Sequence, residues 1–200
     1  NSMNAPILNP FSLFFASIFT SNILLANFLG MCSFISISKD MKSSNGLGLA
    51  VTVVLTTTTA MNWVILNYVL VPLGLEYLRF IIFIMVIAAI VQILEMIIDR
   101  LSQALYISLG IFLPLITVNC AILGVSLFME IRDYNFWQTV IYGFGSGLGW
   151  YIAILALSAI RRKTDKAPVP AGLQGAGLTM ITIGFMAMAF LGFSGMLQVQ

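Results

Sequence analysis

The sequence predicts an all-α integral membrane protein that forms one membrane domain over residues 1–200. Of the 200 residues, 60% are hydrophobic and 8% are charged, whereas about 25% are charged in a typical soluble domain. Six apolar runs are each long enough to cross a bilayer, which takes about 20 residues. The polar segments between these runs are too short to form an extramembrane domain.

The distribution of lysine and arginine predicts the orientation of the six spans. The spans cover roughly residues 11–37, 46–71, 78–98, 104–129, 138–160 and 172–197. The loops after the first, third and fifth spans hold most of the basic residues, namely Lys39, Lys42, Arg100, Arg161, Arg162, Lys163 and Lys166. The opposite side has Arg79 and Arg132. Because basic loops stay on the cytoplasmic side, we expect both termini outside the cytoplasm. No basic cluster is interleaved with aromatic residues, so nucleic-acid binding is not expected.

Three spans in each half of the chain predict two inverted three-helix repeats, at about residues 1–99 and 100–200. With an odd number of spans per half, the halves cross the membrane in opposite senses. A shift of 88 positions places Cys32 on Cys120 and gives further identities at Ile23, Leu25 and Ser38.

Helix-breaking residues lie close to both cysteines. Gly30 precedes Cys32, and Pro114 and Asn119 precede Cys120. Glycine loosens a helix and proline kinks one. Broken helices in corresponding positions of two halves indicate a site near the middle of the membrane. We therefore predict broken helices at the two cysteine segments, with Cys32 and Cys120 facing each other.

Three interpretations of the cysteine pair follow from the residues alone. The cysteines are small buried hydrophobic residues, or they form a disulfide, or they bind a metal. Iron–sulfur clusters generally take four thiolates, and the chain has two cysteines and no histidine. An iron–sulfur centre would therefore have to be shared with another polypeptide. Six spans with structural cysteines would also suit a secondary transporter or a channel.

Several segments resemble a known family, the E subunits of the bacterial sodium-translocating NADH:quinone oxidoreductase. They are "FLGMCSF", "VQILEMIIDR", "LGIFLPLITVNCAI", "RDYNF", "YGFGSGLGW" and "VPAGLQGAG". Together they extend over nearly the whole chain. The chain is similar, more distantly, to the A subunit of the Rnf complex, which links ferredoxin and NAD.

The resemblance implies a role in electron transfer across the bacterial inner membrane, coupled to sodium export. It implies a homologous, inverted D subunit as partner, and an iron centre (a 2Fe-2S cluster or a single iron) bound by Cys32 and Cys120 together with two cysteines of that partner. Further partners would be the NADH-oxidising subunit, which carries flavin and a 2Fe-2S cluster, and a subunit with covalent FMN. NADH and a quinone such as ubiquinone would be the substrates of the whole complex. Ser33 and Asn119 would donate hydrogen bonds near the centre or cap the broken helices.

Three other segments have a structural and a functional interpretation. The glycines of "GFGSGLG" have the spacing that lets membrane helices approach closely, and the run lacks the ending of a phosphate-binding loop; the same logic applies to "AGLQGAG". The hydroxyls of Thr56–Thr59 either bond to their own helix or line a sodium path. Gln92, Glu95 and Asp99 share one helical face, and Glu95 either takes part in sodium binding or pairs with Arg100.

Overall fold

The computed structural model describes residues 10–101, 113–164, 166, 168, 170 and 175–192, and the regular structure in these ranges is helical. The helices are α1 (Pro10–Ile18), α2 (Met31–Ile37), α3 (Met41–Ile65), α4 (Arg79–Leu101), α5 (Leu113–Thr117), α6 (Cys120–Ile131), α7 (Phe136–Thr164) and α8 (Ala176–Leu191). Helix α3 continues through a π-helical turn, Leu66–Leu70, into Val71–Leu73, and a 3₁₀ turn, Glu76–Leu78, leads into α4. The predicted all-α class is confirmed for this part of the chain.

The length and apolar character of the helices fit a membrane protein. Three helical segments are long and apolar enough to cross a bilayer, namely Met41–Leu73, Arg79–Ile97 and Phe136–Thr164, and two shorter helices, Leu115–Ile131 and Ala176–Leu191, are also apolar. Parts of the fourth and sixth predicted spans, residues 104–112, 172–174 and 193–197, lie outside the described residues. The arrangement in six spans and two repeats stays a prediction.

Both predicted helix breaks are present. Helix α1 ends at Ile18, and α2 begins only at Met31 after a series of turns. Two residues of this connection, Phe28 and Gly30, have positive φ angles of 56° and 86°. In the second half, α5 ends at Thr117 and α6 begins at Cys120.

Helix α7 lies at the centre of the packing, and its glycines allow the close contacts that the sequence predicts. A Cβ atom added at Gly147 would lie 2.9 Å from the Cα atom of Thr52 in α3. One added at Gly149 would lie 3.0 Å from the carbonyl oxygen of Ile18, at the end of α1. Gly143 likewise faces α3, and Gly145 faces α1. The packing function of "GFGSGLG" is therefore confirmed, and α7 contacts a different helix on each side.

The second glycine run does not behave in the same way. A Cβ atom added at Gly175 or Gly177 would find no atom within 4 Å among the residues that the structure describes. The close packing predicted for "AGLQGAG" is thus not formed by these two glycines within that part of the chain. Gly172 lies outside the described residues.

The four consecutive threonines of α3 bond to their own helix. The hydroxyls of Thr56, Thr57, Thr58 and Thr59 each donate to the carbonyl oxygen four residues earlier, at 2.6–2.9 Å. This arrangement satisfies the hydroxyl protons without any ligand. The structural interpretation of the threonine run is confirmed.

Candidate functional site

The two cysteines occupy equivalent places at the beginning of two helices. Cys32 is the second residue of α2, and Cys120 is the first residue of α6. Both side chains are exposed at the surface of this chain. Each cysteine is therefore accessible from outside this chain.

The N-termini of α2 and α6 meet each other directly. The backbone amide of Gly30 donates a hydrogen bond to Cys120 Sγ at 2.9 Å, across 90 positions of sequence. Asn119 Nδ2 donates to Ser33 Oγ at 3.2 Å, and Ser33 Oγ donates to the Gly30 carbonyl oxygen at 3.0 Å. The structure thus brings the two cysteine-bearing segments together, as predicted, and we call their meeting point the cysteine junction.

Gly30 fits this junction because it has no side chain. Its φ of 86° is a backbone conformation that favours glycine. A Cβ atom here would lie 2.9 Å from Asn119 Oδ1, 3.0 Å from Trp150 Nε1 and 3.1 Å from Ala121 Cβ. Any larger residue would separate the two helix ends, so Gly30 allows α2 and α6 to meet.

Of the two functions that the sequence offered as alternatives for Asn119, the structure shows the helix cap. Its Oδ1 accepts a hydrogen bond from the Ala121 amide at 3.0 Å, which caps α6. Its Nδ2 at the same time connects α6 to Ser33 in α2. The hydrogen bond to sulfur comes from the Gly30 amide instead, a contact that sequence reasoning missed.

The residues at the junction fit half of an iron–sulfur site. They supply two thiols, and among the described residues no group of three or more His, Cys, Asp and Glu side chains could hold a metal ion. The indole N–H of Trp150 is fully buried and has no acceptor among the described residues. An amide that donates to a cysteine sulfur, as that of Gly30 does, would stabilise the negative charge of an iron–sulfur centre. The remaining ligands would have to come from outside the described part of this chain.

An apolar crevice opens beside Cys120, with a volume of about 290 Å³. Its walls come from α4 and from the break between α5 and α6, and include Ile84, Ile87 and Val118. Cys120 is therefore reachable from the surface of the chain, as a ligand shared with a second polypeptide must be.

Comparison with known proteins identifies the family. Residues 10–197 match the sequence model of a family described as "Rnf-Nqr subunit, membrane protein". The chain belongs to the Rnf-Nqr family. It is 56% identical over 190 residues to the E subunit of the Na(+)-translocating NADH-quinone reductase of Yersinia enterocolitica, and 54% identical over 190 residues to the E subunit of the same reductase from Proteus mirabilis. Each alignment covers 92% of this chain and 96% of the relative.

In this Rnf-Nqr chain, a second group of polar residues lies away from the cysteine junction. Gln92, Glu95 and Asp99 line one groove on α4, which confirms that they share a helical face. Glu95 forms no ion pair with Arg100 in the part of the chain that the structure describes, so that interpretation of Glu95 is not supported. The ion pair that is present joins Arg79 to Glu130.

Proposed function

We propose that this chain is the E-type membrane subunit of a Na⁺-translocating NADH:quinone oxidoreductase in the bacterial inner membrane. In this role it carries electrons across the membrane through an iron–sulfur centre shared with a D subunit, and electron transfer is coupled to Na⁺ export. The names of its relatives support the assignment to this complex. The observation that carries the electron-transfer role is the cysteine junction, where two helix N-termini present two exposed thiols.

Each residue of the junction has a defined part in this proposal. Cys32 and Cys120 would bind iron as thiolates. When bound, such a centre supplies one-electron redox chemistry at a potential set by charge, burial and hydrogen bonds to sulfur. The Gly30 amide favours negative charge at the sulfur atom of Cys120. Asn119 and Ser33 hold the two helix ends in register.

The number of thiolates leads to the choice of partner. A centre with four thiolates takes two from this chain, because the chain has no other cysteine. A homologous D subunit of inverted orientation would place its own pair opposite Cys32 and Cys120. We further propose that this chain is itself built of two inverted repeats, which the meeting of the N-termini of α2 and α6 supports. The NADH-oxidising subunit, the covalent-FMN subunit and lipid would be the other contacts.

Expression of this chain with and without its partner tests the shared site. We expect the chain expressed alone to retain no stable iron, because two thiolates do not complete a site. Co-expression with the D subunit should give one centre per pair. Iron analysis and electron paramagnetic resonance of the purified proteins measure both. A pair that contains no iron would contradict the electron-transfer role and favour a transporter with structural cysteines.

The proposed orientation has its own test. We expect the C-terminus to lie in the periplasm, because loops one, three and five carry seven basic residues and the opposite side carries two. Fusions of alkaline phosphatase after Gln200 should therefore be active and fusions of a cytoplasmic fluorescent reporter should not. The reverse pattern would place Arg161 and its neighbours outside and would refute this orientation.

A further inference from the structure

Among the described residues, the side-chain oxygens that are buried without a hydrogen-bond partner include those of Asn62 and Thr139. Asn62 is fully buried, and its Nδ2 donates to Ser126 Oγ at 2.9 Å. Ser126 Oγ donates in turn to the Ile122 carbonyl oxygen at 3.1 Å, which fixes the orientation of the amide. Asn62 Oδ1 has no donor among the described residues. An unpaired buried carbonyl oxygen is costly, so this atom is available to a ligand.

Thr139 supplies the second oxygen. It is fully buried, and its hydroxyl has no partner among the described residues. The threonine hydroxyls at positions 52 and 56–59 bond to the carbonyl four residues earlier. The Asn135 carbonyl, four residues before Thr139, accepts the Thr139 amide at 2.8 Å but not its hydroxyl. The Thr139 hydroxyl is therefore free to bind a ligand, unlike the threonine hydroxyls of α3.

The packing of α3 against α7 places Asn62 and Thr139 at the same level of the two helices. The two helices contact at Trp63 and Phe136, whose ring centroids are 5.3 Å apart, and again at Thr59 and Gly143. Asn62 lies between these contacts on α3, and Thr139 lies between them on α7. Ser126 joins the pair from α6 through its hydrogen bond to Asn62. We call Asn62, Ser126 and Thr139 the oxygen cluster.

A surface cavity lies one helical turn from this cluster. Its lining includes Leu66, Met129 and Asn135, which are respectively four residues after Asn62, three after Ser126 and four before Thr139. All three helices of the cluster thus lead to the same cavity. The lining residue Leu66 begins the π-helical turn of α3, a feature that often occurs at functional sites.

Two acidic residues, Glu130 and Asp133, line this cavity. Glu130 pairs with Arg79. Arg132 precedes Asp133 in the sequence, and its guanidinium donates to the Tyr134 hydroxyl at 3.1 Å and lies 5.7 Å from the centre of the Tyr142 ring. These acidic side chains favour a cation over an anion in the cavity. The neutral oxygen atoms of the cluster suit a small hard cation that must bind weakly enough to leave again.

We propose that the oxygen cluster binds Na⁺, with Asn62 Oδ1 and Thr139 Oγ1 as ligands and water from the cavity completing the shell. Ser126 is a positioning residue, because it turns the Asn62 oxygen away from its own hydroxyl. The identity of the ion rests on the proposed Na⁺-translocating function. The site lies on the side of the membrane opposite to the basic loops, so it would serve the release of Na⁺ to the outside.

The test is a sodium titration of the quinone reductase rate in the intact complex, with NaCl exchanged for KCl at constant ionic strength. For Thr139→Val we expect the half-saturating Na⁺ concentration to rise roughly fivefold to tenfold, because one polar contact is lost. Thr139→Ser should restore the wild-type value. The matched control is Thr57→Val, which removes a hydroxyl of α3 that bonds to its own helix and should change nothing. The iron signal should be unchanged in all three.

A second variant covers the case in which Thr139→Val assembles poorly. Asn62→Asp keeps the shape of the side chain and adds a negative charge, so it should lower the half-saturating Na⁺ concentration. If the wild-type rate depends on Na⁺ but the half-saturating Na⁺ concentration is unchanged in assembled variants, this site alone is overturned. The cluster would then hold only water. A wild-type rate that does not depend on Na⁺ would overturn both the site and the Na⁺ role of the complex.

Discussion

Cys120→Ser is expected to remove the iron centre from the assembled complex and to abolish quinone reduction. Serine keeps the size of the side chain and changes packing little, but its hydroxyl is a poor substitute for a soft thiolate ligand. We expect the quinone reductase rate to fall more than about 100-fold, since even loss of a residue that only supports a ligand costs about 10–100-fold. Oxidation of NADH by an artificial acceptor should survive, because it takes place on another polypeptide of the complex.

The matched control for this variant is Val118→Ala. Val118 lies two residues before Cys120 and lines the same crevice, but it has no ligand atom. This variant should keep both its iron and its activity. Cys32→Ser should behave as Cys120→Ser does, since both thiolates belong to one centre. A Cys120→Ser complex that keeps its iron signal and its quinone reductase rate would return both cysteines to the role of small apolar residues.

The sequence predicts the cysteine junction because its evidence is local. Gly30 and Asn119 are helix-breaking or helix-capping residues that directly precede the thiol segments, and each lies at the N-terminus of a helix in the structure. The number of possible thiolate ligands also follows from the sequence alone, because the chain has two cysteines. These features follow from residue types and short spacings, on which sequence arguments depend.

The donors around the junction could not be predicted in this way. The Gly30 amide reaches Cys120 across 90 positions, and the Trp150 indole comes from a third helix. A backbone amide has no residue-type signal, and a tryptophan in an apolar helix is usually a packing residue. The oxygen cluster was missed for the same reason, because Asn62 and Thr139 become neighbours only when α3 packs on α7.

The glycine run of α7 shows what residue spacing can and cannot predict about helix packing. The small-residue pattern correctly predicts that helices approach closely here, but it does not say which helices. In the structure Gly147 faces α3 and Gly145 faces α1. The same pattern in "AGLQGAG" predicts contacts that Gly175 and Gly177 do not make with any described residue. Small residues permit close packing, but the contact forms only where a second helix lies against them.

Gly147→Leu is expected to prevent assembly. A Cβ atom at Gly147 would lie 2.9 Å from Thr52 Cα and 3.2 Å from Thr52 Cβ. Because the first of these is a backbone atom, no rotamer change relieves the contact, and α3 must move away from α7. Overpacking that shifts the backbone typically costs about 1–3 kcal/mol and occasionally more. The readouts are the yield of the complex after size-exclusion chromatography and its thermal midpoint.

Gly145→Leu is a milder variant for comparison with Gly147→Leu, and Gly184→Leu is the control. At Gly145 the nearest atom to an added Cβ is the Ser17 hydroxyl oxygen, which can rotate away, so we expect a smaller loss of yield than for Gly147→Leu. Gly184 lies in α8, where an added Cβ meets no described atom within 4 Å, and Gly184→Leu should assemble normally. Full assembly of Gly147→Leu with loss of electron transfer alone would contradict the packing function, since it would mean that α3 and α7 tolerate separation and that Gly147 acts on the chemistry instead.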